Sequence, residues 1–214
     1  MNHAPLPAVR DFRLAVVLLA AGRSQRMGRP KLLLPWNNTS ILGHLLAQWQ
    51  HLGAEQIAVV CASDDRALEA ELSRLKFPET QRISNPTPEH GMFGSVRCAA
   101  RWPGWRSPLT HWAIVLGDQP HLRLATLQAV LDLSAARPEK ICQPAHGGRA
   151  RHPVVVPRAV FAQLAVSADA NLKEFLEALP GHIVSFESND PGLNLDIDRP
   201  GDYEKALELA RANS

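Results

Sequence analysis

Four cationic side chains follow a short apolar run near the start of the sequence. Residues 14–20 are rich in valine and leucine, as is typical of a buried strand. Ala21 and Gly22 come next, and glycine allows the backbone to pass close to a ligand. The cations that follow are Arg23, Arg26, Arg29 and Lys31. Free backbone N–H groups and mobile positive charge are what a nucleoside triphosphate requires, so the segment predicts a phosphate-binding loop.

Other interpretations of the same segment fit less well or stay open. Its spacing matches neither G-x-x-x-x-G-K-[ST] nor G-x-G-x-x-G. A signal peptide would explain why Arg10 and Arg13 precede an apolar run that ends in Ala-Ala-Gly. However, the dense positive charge from Arg23 onward is unusual at the start of an exported chain. A solvated basic loop without a ligand remains an alternative.

Three acidic side chains are candidates for holding a metal ion. Asp118 lies in GDQP (117–120), directly after an apolar run. Asp196 and Asp198 are two residues apart, so in an extended segment their carboxylates project from one face and repel unless a cation neutralises them. Carboxylate oxygens of this kind suit Mg²⁺. Two structural roles stay open, because Asp118 could open the turn before Pro120 and Asp198 could cap the last helix.

A loop rich in proline and glycine precedes one of the helical patterns. It begins at Asn85, and Gly94 and Ser95 are expected at the start of the helix. Free N–H groups at a helix start can meet an anion or the edge of a base, so these three residues are candidate nucleotide ligands. The alternative is a plain connection between a strand and a helix.

A second glycine-rich segment, GGRARHP (147–153), carries Arg149, Arg151 and His152. Its positive charge could bind the phosphate of an acceptor substrate. The segment could equally form the solvated tip of a hairpin.

Composition limits the classes of protein to which the chain can belong. It has 214 residues, 45% of them apolar and 21% charged, which is ordinary for one globular domain. A net charge of +2 is too small for bulk electrostatic binding of nucleic acid or of a membrane surface. No apolar run is long enough to span a membrane. Cys61, Cys98 and Cys142 form no C-x-x-C pair, which argues against a disulfide framework or a zinc site and favours a cytoplasmic location.

Predicted strands and helices alternate along the chain. Apolar runs bounded by turn residues predict strands at 14–20, Gln56–Ala62, 81–85, His111–Leu116, 152–156 and 182–187. Helical periodicity predicts helices between Ser40 and Gly53 and at 64–76, 94–101, Leu124–Ala136, Arg158–Leu164, 171–179 and 201–212. Such alternation indicates an α/β fold whose mostly parallel sheet is covered on both faces and binds ligands at the carboxyl ends of its strands. Residues 14–214 are expected to form this domain and residues 1–13 a flexible tail.

Five motifs of the chain resemble the MobA-like NTP transferases, in particular the molybdenum cofactor cytidylyltransferase branch. In family order they are LAAGRSQRMGRPKLLLPW (19–36), NPTPEHGMFGSVR (85–97), GDQP (117–120), RHPVVVP (151–157) and DIDRPGDY (196–203). The resemblance covers nearly the whole chain after Arg13. It implies a single-domain, three-layer, Rossmann-like nucleotidyltransferase fold of the GT-A-like type.

The resemblance also implies roles for individual residues. The nucleotide would be bound by Leu19, Ala20, Ala21, Gly22, Arg23 and Lys31. Mg²⁺ would be held by Asp118 and Asp198, with Asp196 as a weaker candidate. The catalytic residues would be Lys31, Arg23 and Asp118, because the two cations would neutralise the departing pyrophosphate.

The implied reaction is the transfer of CMP from CTP onto molybdopterin, with release of pyrophosphate. There are three alternatives. The chain could transfer a guanylyl group, it could use a different small phosphorylated acceptor, or it could be a nucleotide-binding cofactor chaperone without turnover. A client molybdoenzyme or a cofactor chaperone would be the protein partner. The chain departs from the family at Arg151, where glycine is usual, and across residues 167–176, so the acceptor side is altered.

Overall fold

The computed structural model describes residues 12–179 and 181–212. The strands are β1 (Leu14–Leu19), β2 (Pro35–Trp36), β3 (Thr39–Ser40), β4 (Gln56–Ala62), β5 (Arg82–Asn85), β6 (His111–Leu116), β7 (Ile141–His146), β8 (Arg149–Ala150), β9 (Val154–Pro157) and β10 (Ile183–Glu187). The α-helices are α1 (Ile41–His51), α2 (Arg66–Arg74), α3 (Gly91–Arg101), α4 (Leu124–Ala136), α5 (Arg158–Leu164), α6 (Leu172–Glu177) and α7 (Pro200–Ala212).

One eight-stranded sheet forms the centre of the fold, in the order β10-β7-β9-β6-β1-β4-β5 with β8 paired to β7. The pairs β1–β4, β1–β6, β4–β5 and β7–β10 are parallel. From β1 the chain moves outward through β4 and β5 and then crosses to the other side of β1 to form β6. The carboxyl ends of β1 and β6 therefore flank a topological switch point, where ligands bind in open α/β sheets.

Helices cover both faces of the sheet, so the fold has three layers. Leu14, Val16 and Leu18 of β1 are buried in a core formed with α1, α2, α4 and α7. The residues between them, Ala15 and Val17, are buried in a second core formed with α3, α5 and α6. Because successive side chains of a strand point to opposite faces, burial on both faces makes β1 a continuous apolar run. The predicted three-layer α/β fold with a mostly parallel sheet is confirmed.

Four strands were not predicted from the sequence. β2, β3 and β8 have two residues each, which is too short to give a periodic pattern. β7 was missed because Gln143 and Pro144 interrupt its apolar run, and proline lacks the N–H group of a central strand. The other predicted elements are present with small shifts at their ends, except that α3 begins earlier than expected.

Strand β9 enters the sheet in the reverse direction, antiparallel to both β6 and β7. Its register pairs Val154 with Ile114 and Pro157 with His111, so the start of β9 lies near the carboxyl end of β6. His152 lies two residues before the start of β9. It therefore lies at the same edge of the sheet as the loops that follow β1 and β6.

Most of the tail predicted for residues 1–13 lies outside the described residues, which begin at Phe12. Phe12 and Arg13 contact the domain. The ring centroids of Phe12 and His111 are 4.7 Å apart, and Nη2 of Arg13 is 2.6 Å from Oε2 of Glu55. In the described part of the chain, no helix combines the length and the apolar character needed to cross a membrane.

Candidate active site

A pocket of about 270 Å³ lies at the switch point between β1 and β6. The ends of both strands, the loop after β1 and the first turns of α3 form its wall. The predicted nucleotide ligands that line it are Leu19, Ala20, Ala21, Gly22, Lys31 and Ser95. Asp118 lines the same pocket. The fold thus brings the basic loop and the GDQP segment together, as expected from the positions of their strands.

A more open cleft of about 610 Å³ adjoins this pocket. The residues that line both spaces are Ala21, Gly22, Lys31 and Pro88. The cleft is also lined by Arg23, Arg26 and Asp198. Lys31 therefore stands where the pocket and the cleft meet, with positive charge extending from that point along the cleft.

The loop after β1 holds the backbone of Lys31 in place. Ser24 and Gly28 adopt left-handed conformations, with φ angles of 50° and 70°, which fold the loop back on itself. The side chain of Met27 is buried in the core below the loop. The hydroxyl oxygen of Ser24 accepts a hydrogen bond of 3.1 Å from the backbone N–H of Lys31. The backbone of Lys31 is thus anchored by its own loop.

The Lys31 ammonium lies between two of the predicted metal ligands. Its Nζ atom is 2.6 Å from Oδ2 of Asp118 and 3.5 Å from Oδ1 of Asp198. Oδ2 of Asp198 also lies 2.8 Å from Nη2 of Arg26. The side chains of Lys31 and Asp118 are only 14% and 18% exposed, so solvent screens their attraction less than at an open surface. The basic loop and both acidic segments therefore meet at one point.

Gly117 allows Asp118 to reach this point. A Cβ atom at residue 117 would lie 2.8 Å from the carbonyl oxygen of Leu19, which is too close for either backbone to accept without moving. Glycine therefore lets the ends of β1 and β6 approach each other. At Gly22, by contrast, a Cβ atom would meet no heavy atom within 4 Å, so this residue faces open space at the pocket.

The acidic side chains have the properties of ligands for a hard divalent cation. Oδ1 of Asp118 is buried and has no hydrogen-bond partner among the described residues, which is costly unless a ligand satisfies it. Partial desolvation, followed by the charges of Asp118 and Asp198, raises the pKa of Asp196. Within residues 12–179 and 181–212, no three His, Cys, Asp or Glu side chains converge to enclose a metal. Mg²⁺ commonly takes one or two carboxylates and completes its shell with water and phosphate, and Asp118 and Asp198 fit that pattern.

A different aspartate, Asp202, binds the backbone just before the last helix. Oδ2 of Asp202 accepts hydrogen bonds from the backbone N–H groups of Asp198 and Arg199, at 3.3 and 2.9 Å. Asp202 lies in the first turn of α7 and reaches back to these two residues, which precede the helix. The carboxylate of Asp198 contacts Lys31 and Arg26 instead.

The prediction that α3 begins at Gly94 is wrong. α3 begins at Gly91, because Pro88–His90 form a 3-10 turn and Gly91, with a φ of 76°, redirects the chain into the helix. Gly94 is the fourth residue of α3, so the N–H groups that a helix start leaves free belong to the residues before it. Gly91 and Met92, rather than Gly94, line the pocket.

Asn85 lies behind the pocket wall and supports Ser95. It is fully buried, and its side-chain amide donates a hydrogen bond of 3.0 Å to Oγ of Ser95. Oδ1 of Asn85 accepts from the backbone N–H of Thr87 at 2.9 Å, which fixes the orientation of the amide. Because Ser95 accepts from Asn85, its own hydroxyl hydrogen remains available for donation to a ligand.

A third cavity, of about 560 Å³, contains the predicted acceptor-binding residues Arg149, Arg151 and His152 on its wall. Met92 lines both this cavity and the 270 Å³ pocket, so the two spaces are neighbours. Burial lowers the pKa of His152, so its imidazole is neutral at pH 7. The positive charge of the cavity therefore comes from the arginines and from Lys173 of α6.

Arg23 does not join the cluster around Lys31. Its Nη2 atom lies 3.2 Å from Oδ2 of Asp64, and both side chains are more than half exposed. An exposed ion pair of this kind contributes little to stability. A polyanion bound in the cleft can therefore draw Arg23 away from Asp64 at small cost.

Three further residues connect parts of the site. The Gln119 side-chain amide donates to Oδ1 of Asp196 at 2.9 Å, Arg26 pairs with Asp198, and Asn194 accepts hydrogen bonds from Arg151. Sequence reasoning did not assign roles to these residues as supports of the site. Gln119 and Arg26 lie within the family motifs, and Asn194 lies two residues before DIDRP, so closeness to the acidic and basic candidates was the available signal.

The chain is similar to known families and proteins over most of its length. Residues 16–183 match the family model of the MobA-like NTP transferase domain. The chain is 26% identical over 193 residues to the molybdenum cofactor cytidylyltransferase of Escherichia coli (strain K12), with 90% of this chain and 94% of that protein covered. It is 29% identical over 214 residues to the molybdenum cofactor guanylyltransferase of Rhizobium johnstonii, with 93% and 95% covered.

A solved structure shows the same relationship in three dimensions. The manganese complex of Rv0371c from Mycobacterium tuberculosis H37Rv has a TM-score of 0.65 and 26% identity to the chain, with 92% of this chain and 98% of that chain covered. The family match and these relatives show that the chain is a nucleotidyltransferase. The chain belongs to the MobA-like NTP transferase family.

Proposed function

We propose that the protein transfers CMP from CTP onto the phosphate of molybdopterin, with Mg²⁺ as the metal and pyrophosphate as the second product. One observation carries the proposal: Lys31, Asp118 and Asp198 meet at the junction of the pocket and the cleft. A phosphate-binding cation and two metal-binding carboxylates at one point are what nucleotidyl transfer needs. The similarity to a cytidylyltransferase over 90% of the chain supports the choice of CTP and of molybdopterin.

The nucleoside of CTP would occupy the 270 Å³ pocket, and its phosphates would extend into the cleft. The backbone of Ala20, Ala21 and Gly22 would pass close to the phosphates, since Gly22 leaves open space there. The Ser95 hydroxyl would donate to an acceptor atom of the base, and Asn85 would keep it oriented for that contact. Lys31 would bind the phosphates at the junction, and Arg23 would leave Asp64 to bind the outer phosphates.

Asp118 and Asp198 would hold the Mg²⁺ ion, while Gln119 keeps Asp196 beside them. When bound, Mg²⁺ would supply Lewis-acid polarisation of the α-phosphate. A phosphate oxygen of the acceptor attacks the α-phosphorus, a new P–O bond forms, and the bond to the pyrophosphate breaks. Lys31 and Arg23 neutralise the charge that develops on the leaving pyrophosphate. Alignment and charge neutralisation suffice, so no covalent intermediate on the protein is invoked.

The acceptor would lie in the 560 Å³ cavity beside the nucleotide pocket. Arg149 and Arg151 would bind its phosphate, and the neutral His152 would hydrogen-bond to it. Met92 lines both spaces, so the proposed acceptor cavity adjoins the nucleotide pocket. The dinucleotide product would then pass to a client molybdoenzyme or its chaperone.

A turnover assay with defined substrates tests the proposal. The purified protein is incubated with Mg²⁺, molybdopterin and one of CTP, GTP, ATP or UTP, and the products are identified by mass and by pyrophosphate release. We expect the cytosine dinucleotide, with Asp118→Asn as the inactive control. A preference for GTP would assign the chain to guanylyl transfer. The similarity to a guanylyltransferase supports this alternative. Binding of CTP without pyrophosphate release under any condition would favour a cofactor chaperone.

A further inference from the structure

The Lys31 ammonium occupies a position that competes with a metal ion for the same oxygens. It lies 2.6 Å from Oδ2 of Asp118 and 3.5 Å from Oδ1 of Asp198, the two proposed metal ligands. An ammonium at these distances already neutralises much of the charge that would attract a free divalent cation. The ion pair is also mostly shielded from solvent, since Lys31 and Asp118 are 14% and 18% exposed.

The position of Lys31 gives its ammonium a second set of partners. Its backbone is fixed by the hydrogen bond to Ser24, and its side chain lines both the nucleotide pocket and the cleft. Rotation about the flexible four-carbon stem can therefore carry the ammonium from the carboxylates to phosphates in the cleft without a backbone movement. When the ammonium leaves, Oδ2 of Asp118 becomes available beside Oδ1, which already lacks a hydrogen-bond partner among the described residues.

We propose that Lys31 is an exchangeable counter-ion of Asp118 and Asp198. Its ammonium blocks the binding of free divalent cations to these carboxylates, and it leaves them when a nucleoside triphosphate binds. Lys31 then contributes to the order of binding as well as to phosphate affinity. Metal enters with the nucleotide rather than before it. This inference rests on the proposed function, because it assumes that Asp118 and Asp198 hold the metal during transfer.

Metal binding without turnover tests the inference directly. Mn²⁺ replaces Mg²⁺, and free Mn²⁺ is measured by electron paramagnetic resonance during titration of the wild type, with and without a non-hydrolysable CTP analogue. We expect weak binding to the wild type alone and much tighter binding with the analogue. Lys31→Met keeps the stem but removes the charge, and in the absence of nucleotide it should bind Mn²⁺ roughly tenfold more tightly than the wild type.

Arg29 provides a matched control on the same loop. It is exposed and makes no ion pair with the residues that the structure describes, so Arg29→Met removes one positive charge without uncovering a carboxylate. We expect little change in its affinity for Mn²⁺. If Arg29→Met and Lys31→Met gained the same affinity for Mn²⁺, the effect would come from net charge and the inference would be wrong. Circular dichroism verifies folding, and Lys31→Gln takes the place of the methionine variant if that variant does not fold.

Two other outcomes separate this inference from the proposed function. If the wild type binds Mn²⁺ as tightly without the analogue as with it, or if Lys31→Met gains no affinity, the counter-ion role is wrong while nucleotidyl transfer stands. If the wild type binds no Mn²⁺ even with the analogue, the metal site of the proposed function fails, and the inference fails with it.

Discussion

Arg151 is joined to Asn194 by two hydrogen bonds, from Nε at 2.9 Å and from Nη2 at 2.5 Å, both to the side-chain oxygen of Asn194. Arg151 lines the proposed acceptor cavity, and Asn194 lies two residues before Asp196. The contact therefore links the acceptor side of the molecule to the segment that carries two of the acidic candidates.

Asn194→Ala should weaken acceptor binding and leave nucleotide binding unchanged. Loss of these hydrogen bonds frees the Arg151 guanidinium and should raise the KM for the acceptor roughly threefold to thirtyfold, equivalent to about 0.5 to 2 kcal/mol. Steady-state kinetics with each substrate varied in turn measures the effect. Asn194→Gln keeps a neutral accepting oxygen and serves as the matched control. A rise in the KM for CTP alone would contradict the proposed division of the site.

Lys31→Ala should lower affinity for the nucleoside triphosphate without unfolding the protein. Removal of one charge-assisted phosphate contact should cost about 1.5 to 3 kcal/mol of binding free energy. Calorimetric titration with a non-hydrolysable CTP analogue measures the loss, and Arg29→Ala serves as the control for charge. If affinity and turnover of Lys31→Ala matched the wild type, the lysine would have no phosphate role.

Asp118→Asn and Asp198→Asn should each abolish metal-dependent transfer and leave the fold nearly intact. Asparagine has the size of aspartate but lacks the charge that a hard cation requires. Asp202→Asn is the matched variant, because Asp202 binds N–H groups just before α7 and lies outside the proposed metal site. It should keep activity. Near-normal turnover of Asp198→Asn at limiting Mg²⁺ would shift the second ligand to Asp196.

Two glycines of the site should respond in opposite ways to replacement by alanine. Gly117→Ala places a Cβ atom 2.8 Å from the Leu19 carbonyl oxygen, so we expect a loss of about 1 to 3 kcal/mol of unfolding free energy. Gly22→Ala meets no heavy atom within 4 Å and should unfold like the wild type. Its Cβ atom would instead reduce nucleotide affinity. Chemical denaturation measures the unfolding free energy of both variants, and ligand titration measures their nucleotide affinity. If both variants lost the same unfolding free energy, Gly22 would not face the open space of the pocket.

The unfolding free energy should fall as the pH is lowered through the ordinary histidine pKa of 6.5. Burial lowers the pKa of four histidines, which are His44, His111, His121 and His152. Above pH 6.5 both the folded and unfolded states hold them neutral, whereas below it the unfolded state gains protons first, so stability is lost with acid. Denaturation at several pH values measures the slope. His121→Gln should reduce this slope, because it removes one of the histidines whose pKa burial lowers.

The nucleotide side of the molecule was predictable because local sequence determines it. The apolar run of β1 and the cations up to Lys31 are contiguous, and Asp118 directly follows a buried strand. Since parallel strands end at one edge of the sheet, their meeting follows from the α/β pattern. The position of Asp198 beside Lys31 and Asp118 could not be derived from periodicity. It was predicted from the family resemblance.

The acceptor side was harder to predict because it depends on contacts between distant segments. β7 was missed because of Pro144, so the antiparallel placement of β9 had no basis in the sequence pattern. The start of α3 was misplaced because Gly91, not Gly94, makes the turn into the helix. Hydrogen-bonded pairs such as Arg151 with Asn194 depend on folding over 43 residues, which local patterns do not report.

The reversed direction of β9 separates the proposed acceptor segment from the nucleotide loop along the chain. The segment from Gly147 to Pro153 connects β7 to β9 at the edge of the sheet that holds the candidate site. Its residues up to His152 are exposed or half-buried, and Pro153 is buried. If the segment binds the acceptor as proposed, substitutions in it can change the acceptor without altering β1 and β6, which carry the basic loop and Asp118. A family built in this way can keep one chemistry of nucleotide activation while it diversifies the molecules to which the nucleotide is joined.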